Sequence, residues 1–343
     1  SIDTIRLLVL FLLPNFALGL LSFSSLQQQL HHRTRIAYRL HYHQVDNMQA
    51  STSTGGVMHW FRKGLRLHDN PALLHALSLA NGTNSTEGSG SVGEIYPVYV
   101  VDPNSYQLLK CSVMRARFLL ECIKDLDDSL RQRGSRLYVV SGDPVEELPK
   151  LWKEFDIKYM THEADETGEP YALKRDLDVN IAAKEAGVSV IDFASETLRP
   201  LGNREGGYVA NVGGLPSNIP TTMSAFQKLL ARIERGSIPL PLDAPIVDDF
   251  PKQTTIDSLD TKYRPLEHPC DIPWPRGYNK NEIGPVWDRK SADGVTNPIV
   301  KGGESLALAQ LQKTVTARPD WSASFEKPKT SCTEVSTPST TVL

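Results

Sequence analysis

Short apolar runs and amphipathic segments alternate over residues 57–200. Continuous apolar runs bounded by turn residues predict strands over 57–61, 94–101, 136–140, 157–161 and 188–193. Apolar residues at helical spacing between them predict helices over 72–80, 113–133, 144–155 and 167–186. Continuously apolar strands joined by helices are typical of a parallel sheet covered on both faces. We therefore expect an α/β fold with a doubly wound, Rossmann-like sheet of five parallel strands.

Turn residues sharpen the ends of these elements. Asp69-Asn70-Pro71 and Asp143-Pro144 predict helix starts, because a side-chain oxygen caps the first turn and proline at the first position lacks only an N–H that would stay unpaired. Gly134 and Gly187 predict helix ends.

The pattern changes after residue 200. Residues 201–297 are rich in Pro and Gly, contain one amphipathic stretch at 222–235 and predict an interdomain connector. A second helical pattern begins at Gly302-Gly303-Glu304 and continues to about residue 316. We expect residues 298–343 to open a further, helical domain.

The first 56 residues precede the fold and have a different composition. No acidic residue lies between Asp3 and Asp46, and Arg6 is followed by a short apolar run interrupted by Pro14. One interpretation is a two-part organelle-targeting presequence, which would direct the protein to a plastid. The other is translated upstream sequence with the true start at Met48, which we favour because the predicted fold begins almost at once. The apolar run is too short to predict a membrane span.

Composition narrows the function classes. The 343-residue chain has a formal net charge of −3 and no long basic block, which argues against a free-standing nucleic-acid-binding domain. Its four cysteines form no C-x-x-C pair, and no His/Cys set has metal-ligand spacing, so we predict neither a disulfide framework nor a metal site. The P-loop and the G-x-S-x-G nucleophile motif are absent from the sequence.

Residues 59–73, His-Trp-Phe-Arg-Lys-Gly-Leu-Arg-Leu-His-Asp-Asn-Pro-Ala-Leu, carry the most specific signal. This run resembles the opening strand, turn and helix of the cryptochrome/photolyase family, and most of all its animal-type branch of (6-4) photolyases and animal-like cryptochromes. The resemblance extends through three further groups of residues: Arg115-x-Arg117-Phe118-Leu119, Glu169-Pro170-Tyr171 and Phe325-Glu326-Lys327-Pro328. It implies an antenna-type α/β domain over 57–200 and the start of the FAD-binding domain over 298–343.

The resemblance also implies a function. In this family, FAD excited by blue light either repairs (6-4) photoproducts in damaged DNA by electron transfer or drives photoreceptor signalling through clock or transcription-factor proteins, with a nuclear location expected. By resemblance, the FAD phosphates would meet Thr340, Thr341, Val342 and Leu343, with positive charge from Lys329. The family's electron-transfer tryptophans would lie beyond Leu343. The alternative is a truncated, non-catalytic α/β module that binds a nucleotide, a chromophore or a protein without a working FAD pocket.

A second chromophore, a pterin or deazaflavin antenna, is also implied at the carboxyl ends of the strands. Arg62, Lys63, Asp102 and Glu163 are predicted to line that edge. Because charged loop residues are mostly exposed, we expect each of the four to have a structural or solvated role rather than to contact the antenna directly. We expect the five tryptophans to pack in the core or an interface: Trp60, Trp152, Trp274, Trp287 and Trp321.

Overall fold

The structure, a computed structural model, describes residues 55–82, 93–105, 113–166, 169–195, 197, 220–233, 240–251, 262–265 and 301–320. All of these residues belong to the unit formed by residues 52–343. The predicted presequence and most of the predicted connector lie outside the described residues.

The predicted fold class is confirmed. The strands of the sheet are β1 (Gly56–Phe61), β2 (Ile95–Val101), β3 (Tyr138–Ser141), β4 (Ile157–Glu163) and β5 (Ser189–Phe193). Every neighbouring pair is parallel, and the spatial order is β3-β2-β1-β4-β5. Strand β1 therefore lies in the centre of the sheet.

Six α-helices accompany the sheet in the described part of the chain. They are α1 (Pro71–Ala80), α2 (Val113–Arg131), α3 (Pro144–Glu154), α4 (Pro170–Glu185), α5 (Met223–Ile233) and α6 (Glu304–Leu311). The predicted caps are present, since Asn70 Oδ1 accepts the N–H of Leu73 and Asp143 Oδ1 accepts that of Val145, each at 2.9 Å. Gly134 has a φ of +73°, as a helix-ending glycine requires.

The start of α4 differs from the sequence prediction. The helix begins at Pro170 rather than at Thr167, because the carboxylate of Glu169 accepts the N–H groups of Tyr171 and Ala172 and caps the first turn. Strand β1 begins at Gly56, which pairs with Ile157 in the sheet.

Each face of the sheet carries its own apolar layer. One layer joins β1 and β2 to α1 and α2 through Phe61, Leu73 and Ile123. The other joins the opposite face to α3 and α4 and contains Trp60 and Trp152, which are 2% and 3% exposed. The predicted packing role of these two tryptophans is confirmed, and the other three lie outside the described residues.

The amino ends of the strands are closed by an aromatic cluster of Tyr96, Tyr138, Phe155 and Tyr263. Tyr96 stacks on Phe155 with ring centroids 4.4 Å apart, and Tyr138 meets the Phe155 ring edge to face at 5.4 Å. The carbonyl of Tyr263 accepts the N–H of Val139, which attaches the segment 262–265 to edge strand β3. Part of the predicted connector thus covers an edge of the sheet.

A second connector segment, 240–251, is held on the loop after β1 and on the ends of α1 and α2. Asp69 exchanges hydrogen bonds with Leu242, Arg133 Nε donates to the carbonyl of Pro245, and Phe250 is buried in the layer under α1 and α2. These contacts fix the loop between β1 and α1, which contributes to the site described next.

Candidate functional site

The order of the strands locates the place where a ligand would bind. The chain passes from β1 to β2 on one side of the sheet and returns to β4 on the other, so β1 and β4 flank the point where the strand order reverses. Ligands of open α/β sheets bind at the carboxyl ends of the strands at such a point. Here those ends lead into the loop over residues 62–70 and into residues 164–166.

This edge is dominated by a group of ion pairs, which we call the charged edge: Arg62, Lys63, Arg66, Glu163, Asp165 and Asp176. Arg62 Nη2 lies 2.8 Å from Asp176 Oδ2 and 3.9 Å from Asp165 Oδ2. Lys63 Nζ lies 2.7 Å from the same Asp165 oxygen. The Asp165 side chain is 1% exposed and that of Arg62 is 5% exposed, so these charges are held inside the protein.

Glu163, the last residue of β4, is held by the loop after β1. Its Oε1 accepts Arg66 Nη2 at 3.1 Å and the hydroxyl of Ser195 at 2.5 Å. Gly64 crosses directly over this carboxylate, and a Cβ at that position would collide with Glu163 Oε2. The glycine of the motif is thus required by the close approach of the backbone to the buried carboxylate.

An aromatic arm extends the charged edge toward β2. The ring of Trp60 has two guanidiniums near it, Arg62 at 5.0 Å and Arg175 at 5.4 Å from its centroid. Arg175 also lies 5.8 Å from the ring of Tyr171, whose hydroxyl donates to Asp102 Oδ2 at 2.6 Å. Burial and this hydrogen bond raise the pKa of Tyr171. Tyr171 therefore keeps its proton and bridges α4 to the end of β2.

Two buried histidines flank the site in their neutral form. Burial, followed by the nearby charge of Arg62, lowers the pKa of His162 to about 4. His162 Nδ1 lies 3.2 Å from Arg62 Nη1 and 3.1 Å from the carbonyl oxygen of Glu163, so both a donor and an acceptor are within hydrogen-bond distance of this nitrogen. Burial likewise lowers the pKa of His59 to about 3. Its Nδ1 donates to Thr161, whose hydroxyl donates to the carbonyl of Ala72, at 2.9 Å in both cases.

The four residues predicted to line this edge all lie there, and three of them are buried in structural ion pairs or hydrogen bonds. Asp102 and Glu163 are each 5% exposed, and Arg62 is buried by its ion pairs, whereas Lys63 is half exposed. Burial is possible because each charge has an opposite charge or a hydrogen-bond partner within reach. The roles of Arg66, Asp176 and Ser195 were not predicted. Asp176 and Ser195 lie more than one hundred residues along the chain from the loop after β1 that they contact.

The predicted FAD-phosphate positions Thr340, Thr341, Val342 and Leu343, together with Lys329, lie outside the described residues. No group of three or more His, Cys, Asp or Glu residues arranged to hold a metal is present among the described residues. Within the same residues, none of the helices has the length and apolar character needed to cross a membrane.

The chemistry of the charged edge suits a planar, anionic molecule. Guanidiniums beside an aromatic ring offer both a stacking surface and hydrogen-bond donors in a fixed fork. In this structure those guanidiniums form ion pairs with Asp165 and Asp176. A ligand would therefore bind here by exchanging with internal carboxylates.

Comparisons with known proteins agree with this fold. The DNA photolyase family matches residues 57–212, which contain the sheet and its charged edge. Cryptochrome-1 of Sylvia borin is 34% identical over 273 residues, which cover 80% of this chain and 38% of that protein. Cryptochrome-1 of Rattus norvegicus is 35% identical over 275 residues, covering 80% and 40% of the two chains. Residues 57–212 are therefore a DNA photolyase domain, and the chain is similar to cryptochromes over 80% of its length.

Solved structures show the same fold. The cryptochrome of Synechocystis sp. PCC6803 matches with a TM-score of 0.56 at 21% identity, over 81% of this chain and 50% of that chain. A class III photolyase from Agrobacterium tumefaciens matches with a TM-score of 0.51 at 20% identity, over 79% of this chain and 46% of that chain. The chain spans about two fifths of the length of the curated relatives named above.

Proposed function

We propose that this chain is part of a blue-light-dependent flavoprotein in which a helical domain, opening at residue 298, binds FAD. The observation that carries this proposal is the extent of the similarity to cryptochromes. An alignment covering 80% of the chain is much longer than the α/β domain, so it also includes residues of the connector. When bound, FAD would absorb blue light and exchange an electron with its surroundings.

Residues around position 340 would hold the flavin diphosphate. The hydroxyls of Thr340 and Thr341 and the N–H groups of Val342 and Leu343 are suitable donors, and Lys329 would supply positive charge. The proposal is tested by the FAD content of the native-length protein. A double variant T340V/T341V should retain FAD about tenfold less tightly, since losing two hydrogen bonds costs about 1–3 kcal/mol.

A matched control for that variant is Thr316→Val, which removes an exposed hydroxyl in the turn after α6. Its FAD retention should equal that of the unmodified protein. If the native-length protein contains no flavin under conditions where its fold is intact, the proposed function is wrong. The non-catalytic α/β module would then be the remaining interpretation.

Within this function, DNA repair and signalling are distinguished by the substrate. A (6-4) photolyase would restore an oligonucleotide containing a pyrimidine–pyrimidone photoproduct under blue light, and base flipping would bring the lesion to the flavin. A photoreceptor would instead undergo flavin photoreduction without repair and bind clock or transcription-factor proteins. The assay is repair of a single defined lesion in light, with the same protein in the dark as its control.

The α/β domain would additionally hold an antenna chromophore, a pterin or deazaflavin, at the charged edge. The ring of Trp60 between Arg62 and Arg175 supports this assignment, because it provides a stacking surface with flanking positive charge. Arg175→Ala should weaken binding of an added deazaflavin about fivefold to tenfold, the value of one buried cation–π contact. Lys174→Ala, an exposed neighbour on the same helix, is the control and should leave the affinity unchanged.

Location in the cell follows from the start of translation. We propose a nuclear protein that begins at Met48, with a plastid location as the alternative if residues 1–47 are a presequence. Imaging of the protein carrying a fluorescent tag at its carboxyl end, expressed with and without residues 1–47, separates the two. Plastid fluorescence that disappears when those residues are deleted would contradict the nuclear proposal.

A further inference from the structure

The loop after β1 presents two consecutive backbone N–H groups to the first residue of α6. Leu67 N donates to Glu304 Oε2 at 2.8 Å, and His68 N donates to Glu304 Oε1 at 2.7 Å. One carboxylate thus accepts two short, charge-assisted hydrogen bonds from residues more than two hundred positions away. These donors are backbone groups, so the contact depends on the shape of the loop and not on the identity of its side chains.

The shape of that loop is set by the charged edge. Arg66 donates to the carbonyls of His68 and Asp69, at 3.1 and 3.0 Å, while its Nη2 also reaches Glu163. Asp69 is in the left-handed region with a φ of +50°. Arg66 therefore holds the carbonyls on one side of the turn, and the loop that Glu304 binds shares this arginine with the candidate ligand edge.

Two carboxylates of α2 accept hydrogen bonds from backbone N–H groups at the start of α6. Glu121 Oε2 accepts the N–H of Gly302 at 2.8 Å, and Asp125 Oδ2 accepts the N–H of Ser305 at 3.1 Å. N–H groups at a helix start have no partner within the helix, and negative charge there is favoured by the helix dipole. The start of α6 therefore accepts hydrogen bonds from the loop after β1 and donates hydrogen bonds to α2.

Two glycines allow the close approach. A Cβ on Gly302 would collide with the carbonyl oxygen of Phe118 and lie 2.9 Å from Cys122 Sγ. Gly303 has a φ of +127°, and a Cβ there would lie 2.9 Å from Cγ of Asp125. A side chain at Gly302 would therefore displace α2 or the start of α6, and one at Gly303 would hold a strained φ and displace the Asp125 side chain.

We propose that Gly302-Gly303-Glu304 forms an interdomain latch that fixes the first helix of the helical region on the α/β domain, with Glu304 as its positioning residue. Through Arg66, the latch connects the position of that helix to the charged edge. The inference rests on the proposed function only in that the helical region would be the one binding FAD; the latch itself consists of contacts present in this chain.

The test is amide hydrogen exchange of the native-length protein, read at Leu67 and His68. E304A should accelerate exchange of these two amides at least tenfold, because each loses a charge-assisted hydrogen bond. E304Q should show a smaller acceleration, since its side chain keeps one acceptor. Strand β2 should exchange unchanged. The control is E185Q, which removes an exposed carboxylate at the end of α4 and should alter neither amide.

Flavin retention, measured in the same samples, distinguishes a failure of the latch from a failure of the proposed FAD-binding function. Accelerated exchange at Leu67 and His68 in E304A establishes the latch whether or not the protein binds FAD. With flavin present, loosening the latch should also lower FAD retention in E304A relative to E185Q. Unchanged exchange in both E304A and E304Q, in a protein that does bind FAD, would overturn the latch and leave the proposed function standing.

Discussion

The amino ends and the carboxyl ends of the strands, here called the amino edge and the carboxyl edge of the sheet, are packed by different kinds of side chain. The amino edge is closed by the aromatic cluster, in which each of the four ring centroids lies within 6 Å of at least two others. The carboxyl edge is filled by the charged edge, in which the side chains of Arg62 and Asp165 are only 5% and 1% exposed. Rings give stability through burial alone, whereas buried charges cost desolvation and are stable only when paired.

This difference indicates which edge is specialised for function. Apolar residues at the carboxyl edge would stabilise the fold as well as the ion pairs do, because replacing a buried ion pair with packed apolar groups is often neutral or stabilising. The amino edge is packed in this way, by aromatic rings. The carboxyl edge instead retains paired charges beside Trp60, at the place where α/β proteins bind ligands.

The largest expected effect is at the amino edge. Tyr138→Ala removes a ring that is 1% exposed and should lower the free energy of unfolding by about 4 kcal/mol, the usual cost of truncating a buried aromatic residue. Tyr138→Phe, which keeps the ring, should cost less than about 1 kcal/mol. Urea unfolding followed by circular dichroism measures both, and equal losses in the two variants would refute a stabilising role for the ring.

Breaking the charged edge should have the next largest effect. Arg62→Met removes the 2.8 Å partner of Asp176 and should destabilise the fold by about 2 kcal/mol, because Asp176 then keeps only Arg175 and Asp165 keeps only Lys63 as a cationic partner. The control is Lys174→Met, which breaks an exposed pair with Asp178 and should cost under about 0.5 kcal/mol. A loss for Arg62→Met as small as that of the control would mean that the charged edge opens to solvent.

Mild acid should weaken the protein through His162. Its pKa is about 4 in the folded state and 6.5 unfolded, so below pH 6.5 the unfolded state binds the proton more readily. Stability is then fully present above pH 6.5 and falls as the pH decreases toward 4. Between pH 7 and pH 5 this histidine should account for about 2 kcal/mol.

The check on His162 is the pH dependence of urea unfolding in His162→Asn. The fall in stability from pH 7 to pH 5 should be smaller in the variant by the amount just given. His59, whose pKa is also lowered, remains in both proteins and supplies a common background. An identical fall in both proteins would show that His162 is not buried in its neutral form.

The smallest expected effect returns to the amino edge. Tyr263→Phe removes a hydroxyl that donates to Glu154 at 2.6 Å but keeps the ring, and should cost about 1 kcal/mol. Lys262→Met, at an exposed position beside the same carboxylate, should cost less than about 0.5 kcal/mol. A loss above about 3 kcal/mol for Tyr263→Phe would mean that this edge also depends on polar contacts.

Local sequence signals predicted the elements well and the site only in part. Asn70-Pro71 and Asp143-Pro144 act through neighbours within three residues, so the helix starts are readable from the chain alone. The burial of Asp102 and Glu163 is different, because it depends on Tyr171 and Arg66, which lie 69 and 97 residues away. The periodic pattern carries no information on such pairs.

The latch shows the same limit. Gly302-Gly303-Glu304 is readable as a helix start, and α6 begins at Glu304 as that pattern indicates. Nothing near it in the sequence points to Leu67 and His68, whose backbone donors have no side-chain signature. The FAD-phosphate positions at Thr340 and Thr341 stay predictions.

The central claim is that this chain belongs to a protein whose flavin responds to blue light. The most direct measurement is the absorption spectrum of the native-length protein before and after blue illumination in the presence of a mild reductant. The account predicts a bound oxidised flavin whose visible bands bleach in light and recover in air. A folded native-length protein whose spectrum shows no flavin, or whose flavin is unchanged by illumination, would contradict it.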